Sequence, residues 1–374
     1  METELEAALA GIITQRMETV AKFEKLDVRL IRSSIEKGEI VIMTRKGYGS
    51  IGIGKGLSTK INANIGTSPI AVNPVEEVEK AKVAEKYGAH TISDLSMGGD
   101  IDAIRRSIFD ATSLPITTVP IYQAVAKRHS FHKVSRRDLI TMIERHAEEG
   151  VSSIVIHAGF TLKILEKLKK QRRVMGMVSK GGSLTATWMI EHQAENPFLE
   201  SFDEILKILR GRDVILSLGN SMRSGCIHDL KDEPQLLEIK MNSELAKKAN
   251  EQGVQVIIEG MGGHVNAGEI LRYVKYHKKM IDNRPLFVAG PLPIDVAVGY
   301  DHIAACVGAS IAAGAGADYL CYITPSEHLS LPTVNDVKEG VIVFRIAAHI
   351  GDSIKYGISN RDLELAKRRR RLDW

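Results

Sequence analysis

Short apolar, β-branched runs that stop on a polar residue or glycine alternate along this chain with stretches of helical spacing. Asn64 follows residues 60–63, Asp94 closes the run that begins at 91, Tyr122 follows 118–121 and His157 follows 153–156. The same pattern sets Ser179 after 175–178, Asn220 after 215–219, Glu259 after 254–258 and His328 just beyond 319–323. Apolar runs of this length separated by helices predict parallel strands buried on both faces. Helical spacing is predicted over 74–87, 101–111, 136–149, 161–170, 202–210, 234–252 and 267–279. The fold expected is α/β, a (βα)8 TIM-type barrel whose strand ends open together on the face that carries an active site. A further run at 286–289 makes nine strand candidates for eight places. One of them must lie outside the ring.

A short N-terminal segment precedes the barrel. Residues 3–24 and 28–36 read as helices and 39–43 as a strand, followed by a glycine cluster at 46–56. The cluster contains G-x-G-x-x-G at Gly47, Gly49 and Gly52 and comes close to a P-loop between Gly49 and Lys55. A phosphate loop must open a helix, whereas this one runs into the β-type residues 59–65. A turn or flexible entry to the barrel is the expectation. After His328, residues 334–340, 341–350 and 361–371 read as a C-terminal helical appendage. The domain boundaries expected are 1–56, 57–330 and 331–374.

Composition narrows the class. Hydrophobic residues at 44% and charged residues at 26% are ordinary for a folded globular chain, and a net charge of +4 gives no general case for nucleic acid. The basic run at 367–371 reads as a solvated helix end. Cys226, Cys306 and Cys321 are far apart and form no C-x-x-C pair, which fits a reducing compartment and excludes an intrachain four-thiolate cluster. The N-terminus is acidic where a signal peptide would be basic, and the longest apolar stretch, 303–317, is too short to span a bilayer. A cytoplasmic protein that neither enters a membrane nor binds nucleic acid is expected.

Candidate chemistry gathers at the strand ends. Glu259-Gly260-Met261-Gly262-Gly263-His264 offers a carboxylate and an imidazole around a glycine turn, and Pro325-Ser326-Glu327-His328 supplies a second histidine. His264 and His328 on neighbouring strand ends would hold one divalent metal with open positions, the arrangement of a catalytic site. Ser179-Lys180-Gly181-Gly182-Ser183 combines amides, an ammonium and hydroxyls at a helix start, suited to a phosphate monoester, and Arg223 adds a bidentate grip. A tight turn with an exposed lysine is an equally good reading of that segment. The amides of Asn64 and Asn220 both donate and accept, which suits a ribose or a heterocycle.

Several ordered blocks carry a resemblance. They are Asn62-Ala63-Asn64-Ile65-Gly66, Thr118-Val119-Pro120-Ile121-Tyr122-Gln123-Ala124, Ile156-His157-Ala158-Gly159, Val178-Ser179-Lys180-Gly181-Gly182-Ser183, Gly299-Tyr300-Asp301-His302 and residues 320–329. With these the chain resembles the phosphomethylpyrimidine synthase family, radical S-adenosylmethionine lyases that convert 5-aminoimidazole ribotide into hydroxymethylpyrimidine phosphate for thiamine. The resemblance implies a dimeric barrel enzyme that uses S-adenosylmethionine, a four-iron cluster and a divalent metal, zinc or iron. It implies catalytic roles for Tyr122, His157 and Glu259, and metal ligation by His264 and His328. It further implies ribotide contacts from Asn64, Ser93, Tyr122, His157, Ser179, Lys180, Gly181, Asn220, Ser221, Met222, Arg223, Glu259 and Phe287.

This sequence departs from the family pattern at several of those positions. Lys180 stands for an arginine, Asn220 for an aspartate, Ser93 and Phe287 for Met and Tyr, and Met261 and Asn266 for two prolines. The family's C-x-x-C-x-x-x-x-C cluster segment is not among these residues. A cluster would have to come from a partner protein or from residues outside these. The alternative reading is a relative without a cluster that performs metal-assisted, non-radical chemistry on a related phosphorylated ribotide, or only binds one.

Overall fold

A computed structural model of the chain describes all residues except Met1, Glu2, Lys46, His129, Ser130, Leu230 and Trp374. Lys46, part of the glycine cluster, therefore lies outside the described residues. Eight parallel strands close a barrel: β3 (Lys60–Ile65), β4 (Thr91–Asp94), β5 (Ile116–Thr118), β6 (Ser153–Ile156), β7 (Ile215–Leu218), β8 (Val256–Glu259), β9 (Leu286–Ala289) and β10 (Tyr319–Cys321). β10 returns to pair with β3, Leu320 opposite Ile61, which closes the ring. Nearly every strand residue is buried, as expected where helices cover the outside and side chains fill the inside.

The ninth strand candidate, 175–178, is not a strand. Its neighbours satisfy its backbone without a ladder: Asp229 accepts the N–H groups of Val174 (2.7 Å) and Met175 (2.8 Å), and Arg173 donates to the Gly176 carbonyl (3.1 Å). One carboxylate and one guanidinium bond this stretch where a neighbouring strand would have. Nor does the run 118–121 form a strand in one piece. β5 ends at Thr118, and Pro120 begins the helix Pro120–Arg128, so Tyr122 stands in a first helical turn rather than on a strand end.

Only the ends of the glycine cluster are turns, at 47–48 and 55–56; its middle forms β2 (Gly49–Gly54), antiparallel to β1 (Ile40–Arg45) with Ile42 opposite Gly52. Gly54 has φ +145°, and a Cβ there would lie 2.2 Å from the Glu39 carbonyl oxygen; one on Gly52 would lie 2.6 Å from Val20. These glycines allow close approach within a hairpin. The hairpin plugs the barrel floor, because Val41, Met43 and Ile53 pack with Ile215, Ile257 and Tyr319, and Ile42 N–H donates to Gln255 (2.7 Å). The barrel is thus sealed below and open only at the strand carboxyl ends.

The N-terminal helices are three: Glu4–Leu9, Gln15–Glu24 and Val28–Glu36, with Gly11 (φ +77°) and the N-cap Thr14 breaking the single helix expected over 3–24. They share a small core with β1 around Met17, Ile31 and Ile42. At the other end, the two helices expected at 334–350 are one, Val334–Tyr356, followed by Asn360–Arg370. Among the described residues no helix is long and apolar enough to cross a membrane.

Candidate active site

The open mouth of the barrel holds a cavity lined by Asn64, Ser93, Tyr122, His157, Ser179, Asn220, Arg223, Glu259 and Phe287, together with apolar Leu95, Val119 and Val155. A second, adjoining cavity is lined by His264, His328, Glu327 and Ser224. Asn64, Arg223, Ala289 and Cys321 belong to both. The two predicted subsites are therefore contiguous, with Arg223 at their boundary. Each candidate sits there because its strand or the loop after it ends at the mouth, which is also why Glu259 and Cys321, last residues of β8 and β10, face inward.

Ser179 is the N-cap of the helix Lys180–His192 and accepts from Gly182 N–H (3.1 Å). Its hydroxyl lies 3.2 Å from His157 Nε2. The helix start has no room for a side chain at its second residue: a Cβ on Gly181 would lie 2.2 Å from the His157 ring, and one on Gly219 would lie 2.7 Å from the opposite part of that ring. The Gly181 N–H also faces the Tyr122 hydroxyl. His157 lines the cavity, and its Nδ1 is buried with no partner among the described residues.

Burial sets the protonation states. It lowers the His157 imidazole to about 3, with the Arg223 guanidinium adding to the effect. It raises the Tyr122 phenol to about 12 and the Cys321 thiol to about 12, and raises the Glu259 carboxyl against the pull of Arg223 and a 3.2 Å hydrogen bond from Ser217. The mouth therefore contains a neutral imidazole, a protonated phenol and a carboxyl biased toward holding its proton, around one guanidinium. Arg223 has no carboxylate ion pair among the described residues; its polar contact is the Asn220 carbonyl at 3.3 Å. A cation kept unpaired in a cavity suits an anionic ligand.

His264 and His328 come from the loops after β8 and β10, which are not neighbours, since β9 lies between them. The rings nevertheless approach to 5.2 Å between centroids, tilted by 46°. His264 Nδ1 donates to Asp295 at 2.5 Å and His328 Nδ1 stands 3.1 Å from Asp301. Carboxylates on both Nδ1 atoms leave both Nε2 atoms as donors to a cation, the outer-shell pattern of histidine metal sites. The residues present fit a divalent metal with open coordination positions.

Four candidates stand apart from the cavity wall. Ser221 and Met222 are fully buried, and their N–H groups are held by the two oxygens of Glu238, each at 2.8 Å. Lys180 is exposed, its ammonium 5.9 Å from the Tyr122 ring centroid. Gly181 contributes its backbone behind His157. The residues that sequence reasoning missed are Asp295, Asp301, Glu327, Glu238 and Cys321. Asp301 and Glu327 lay inside quoted motifs, one residue before a histidine; nothing marked Asp295 or Glu238.

The cysteines do not assemble. Cys321 faces Asn64 Nδ2 (3.0 Å), Cys306 reaches the Val343 carbonyl (3.7 Å) outside the barrel, and Cys226 lies in the loop after β7. The three thiols of these residues do not fit a four-iron cluster, whose ligands are thiolates on one site.

A model of the radical SAM ThiC family matches residues 3–374. The chain is 48% identical over 381 residues to phosphomethylpyrimidine synthase of Dehalococcoides mccartyi, covering 100% of this chain and 88% of the relative. It is 45% identical over 378 residues to phosphomethylpyrimidine synthase 1 of Methanosarcina mazei (100% and 88%), and 43% identical over 380 residues to the Pyrococcus furiosus enzyme of that name (100% and 88%). With its whole length matched and the barrel mouth built as described, this chain belongs to the radical SAM ThiC family.

Proposed function

We propose that the chain is a phosphomethylpyrimidine synthase, a lyase that takes 5-aminoimidazole ribotide to hydroxymethylpyrimidine phosphate in thiamine biosynthesis. Identity of 43–48% over the full chain to proteins of that name supports this reading over non-radical chemistry on another ribotide. The structural observation that carries it is the continuity of two cavities through Arg223, one with an anion cradle and the other with paired imidazoles.

In this reading the ribotide phosphate meets Arg223 and the helix start at Ser179, where the macrodipole favours an anion. Asn64, Tyr122 and Glu259 hydrogen-bond the sugar and heterocycle. His157, neutral at physiological pH, gives or receives a hydrogen bond through its orphan Nδ1 without adding charge. Glu259, held toward its protonated form, is the group placed to deliver or recover a proton at the heterocycle. His264 and His328 would hold zinc or iron, and such an ion supplies Lewis acidity beside the substrate.

The test couples binding to turnover. Calorimetric titration with 5-aminoimidazole ribotide should give saturable binding at one site per chain, and protein supplied with a cluster-bearing partner or segment and reconstituted with iron and sulfide should form hydroxymethylpyrimidine phosphate with S-adenosylmethionine and a reductant. Absence of ribotide binding refutes the reading. Binding with turnover that ignores S-adenosylmethionine refutes the radical activity in favour of the alternative.

A further inference from the structure

We propose that Cys226, His228 and Asp295 form a second divalent-cation site, separate from the His264/His328 pair and joined to it through one carboxylate. Beyond the barrel, the loops after β7, β8 and β9 continue side by side through single parallel bridges, Ser224 with Gly263 and His264 with Leu292. His264 therefore lies between the loop that carries Cys226 and His228 and the loop that carries Asp295. A 3-10 turn over Ile227–Asp229 folds the first loop back, and Ile227 N–H donates to Asp295 Oδ2 at 3.0 Å. The result brings the Cys226 sulfur, a His228 ring nitrogen and an Asp295 oxygen to within 4.8 Å of one another.

That spacing is close to coordination. Bonds of about 2.0–2.3 Å at a tetrahedral ion set donors roughly 3.3–3.8 Å apart, so the set must contract by about an ångström. His228 is exposed and Asp295 only partly buried, so both have freedom to close on the buried sulfur. Asp295 uses one oxygen for His264 Nδ1 and the other for Ile227, but a carboxylate has about four lone-pair positions. A lone pair remains on each oxygen.

One sulfur, one imidazole and one carboxylate select a borderline-soft ion such as zinc over magnesium or calcium. Three protein donors leave one position for solvent or a small ligand. Because Asp295 also holds His264 Nδ1, an ion at the second site draws charge from the carboxylate that orients the first. Occupancy of one site therefore tunes the other.

Cobalt(II) distinguishes the two sites, since the histidine pair contains no sulfur. The full chain, stripped by chelator and kept reduced without added thiol, is titrated with cobalt(II) anaerobically. Two equivalents should bind, one of them with a near-ultraviolet sulfur-to-cobalt charge-transfer band. Cys226→Ser should lose the band and one equivalent, His264→Ala/His328→Ala should lose the other equivalent and keep the band, and Cys306→Ser and Cys321→Ser should leave the titration unchanged. His228→Ala, at an exposed position where folding is secure, should weaken the band-forming site by at least the roughly tenfold that loss of even an outer-shell partner costs. No band at saturating cobalt, or a band that survives Cys226→Ser, overturns the proposal.

Discussion

Gly181→Ala tests the cradle more sharply than removal of any charged group. The new methyl would sit 2.2 Å from His157 Cε1 and 2.7 Å from Nδ1. Ordinary carbon contacts begin near 3.5 Å, so ring or helix must move by more than about 1 Å. Gly219 crowds the same ring, its own Cβ position being 2.7 Å from His157 Cδ2 and Nε2, which limits how far the ring can shift. Helix propensity favours alanine by about 1 kcal/mol, and overpacking costs about 1–3 kcal/mol, so the net loss of stability is about 0–2 kcal/mol. The protein folds. Displacement by an ångström at a positioning contact costs about a hundredfold, here in ribotide affinity and turnover, because the displaced His157 lines the cavity. Thermal melting and ribotide calorimetry measure the two effects, with Gly211→Ala as control, where the new methyl finds nothing closer than 3.4 Å. A Gly181→Ala protein that binds ribotide like the parent would refute the packing of His157 argued here.

Three further outcomes follow from the same geometry. Arg223→Met should weaken ribotide binding roughly tenfold to a hundredfold, as for loss of a charge-assisted hydrogen bond, while cobalt binding at His264 and His328 persists; loss of both would mean the loop had collapsed. Asp301→Asn keeps an acceptor near His328 Nδ1 but removes its charge, so metal affinity measured by chelator competition should fall about 10–100-fold with ribotide affinity little changed. His277 is fully buried with neither ring nitrogen paired among the described residues, and burial lowers it from 6.5 to about 3. The unfolded chain then takes a proton below pH 6.5 that the native chain refuses, so this group's penalty is absent above 6.5 and grows by about 1.4 kcal/mol per pH unit as pH falls toward 3. His277→Met should accordingly gain about 2 kcal/mol on the parent between pH 7.5 and pH 5 in urea unfolding. A pH-independent difference would refute it.

The barrel was legible because its strands are buried on both faces, so composition alone marks them. Where a backbone is satisfied in some other way, composition misleads. Residues 175–178 look like a strand, yet Asp229, more than fifty residues away, supplies the acceptors that a neighbouring strand would have supplied. The glycines at 49–54 look like a loop, yet their missing side chains make space for Val20 and the Glu39 carbonyl in a hairpin. In each case the deciding partner is distant in sequence.

The same distinction runs through the site. His264 and His328 were findable because chemistry-bearing residues at strand ends share one face. Their carboxylate partners divide: Asp301 is the first residue of a helix and stood in a readable motif, whereas Asp295 is placed only by the bridge from His264 to Leu292, which no local pattern announces. Glycines give the converse lesson. Gly181 and Gly219 come from loops after different strands and are informative only as a pair, because between them they leave a slot one imidazole thick. A site of this kind is written in the sequence twice, once as the groups that react and once as the absence of side chains that would displace them; the second half becomes readable only when the fold brings the gaps together.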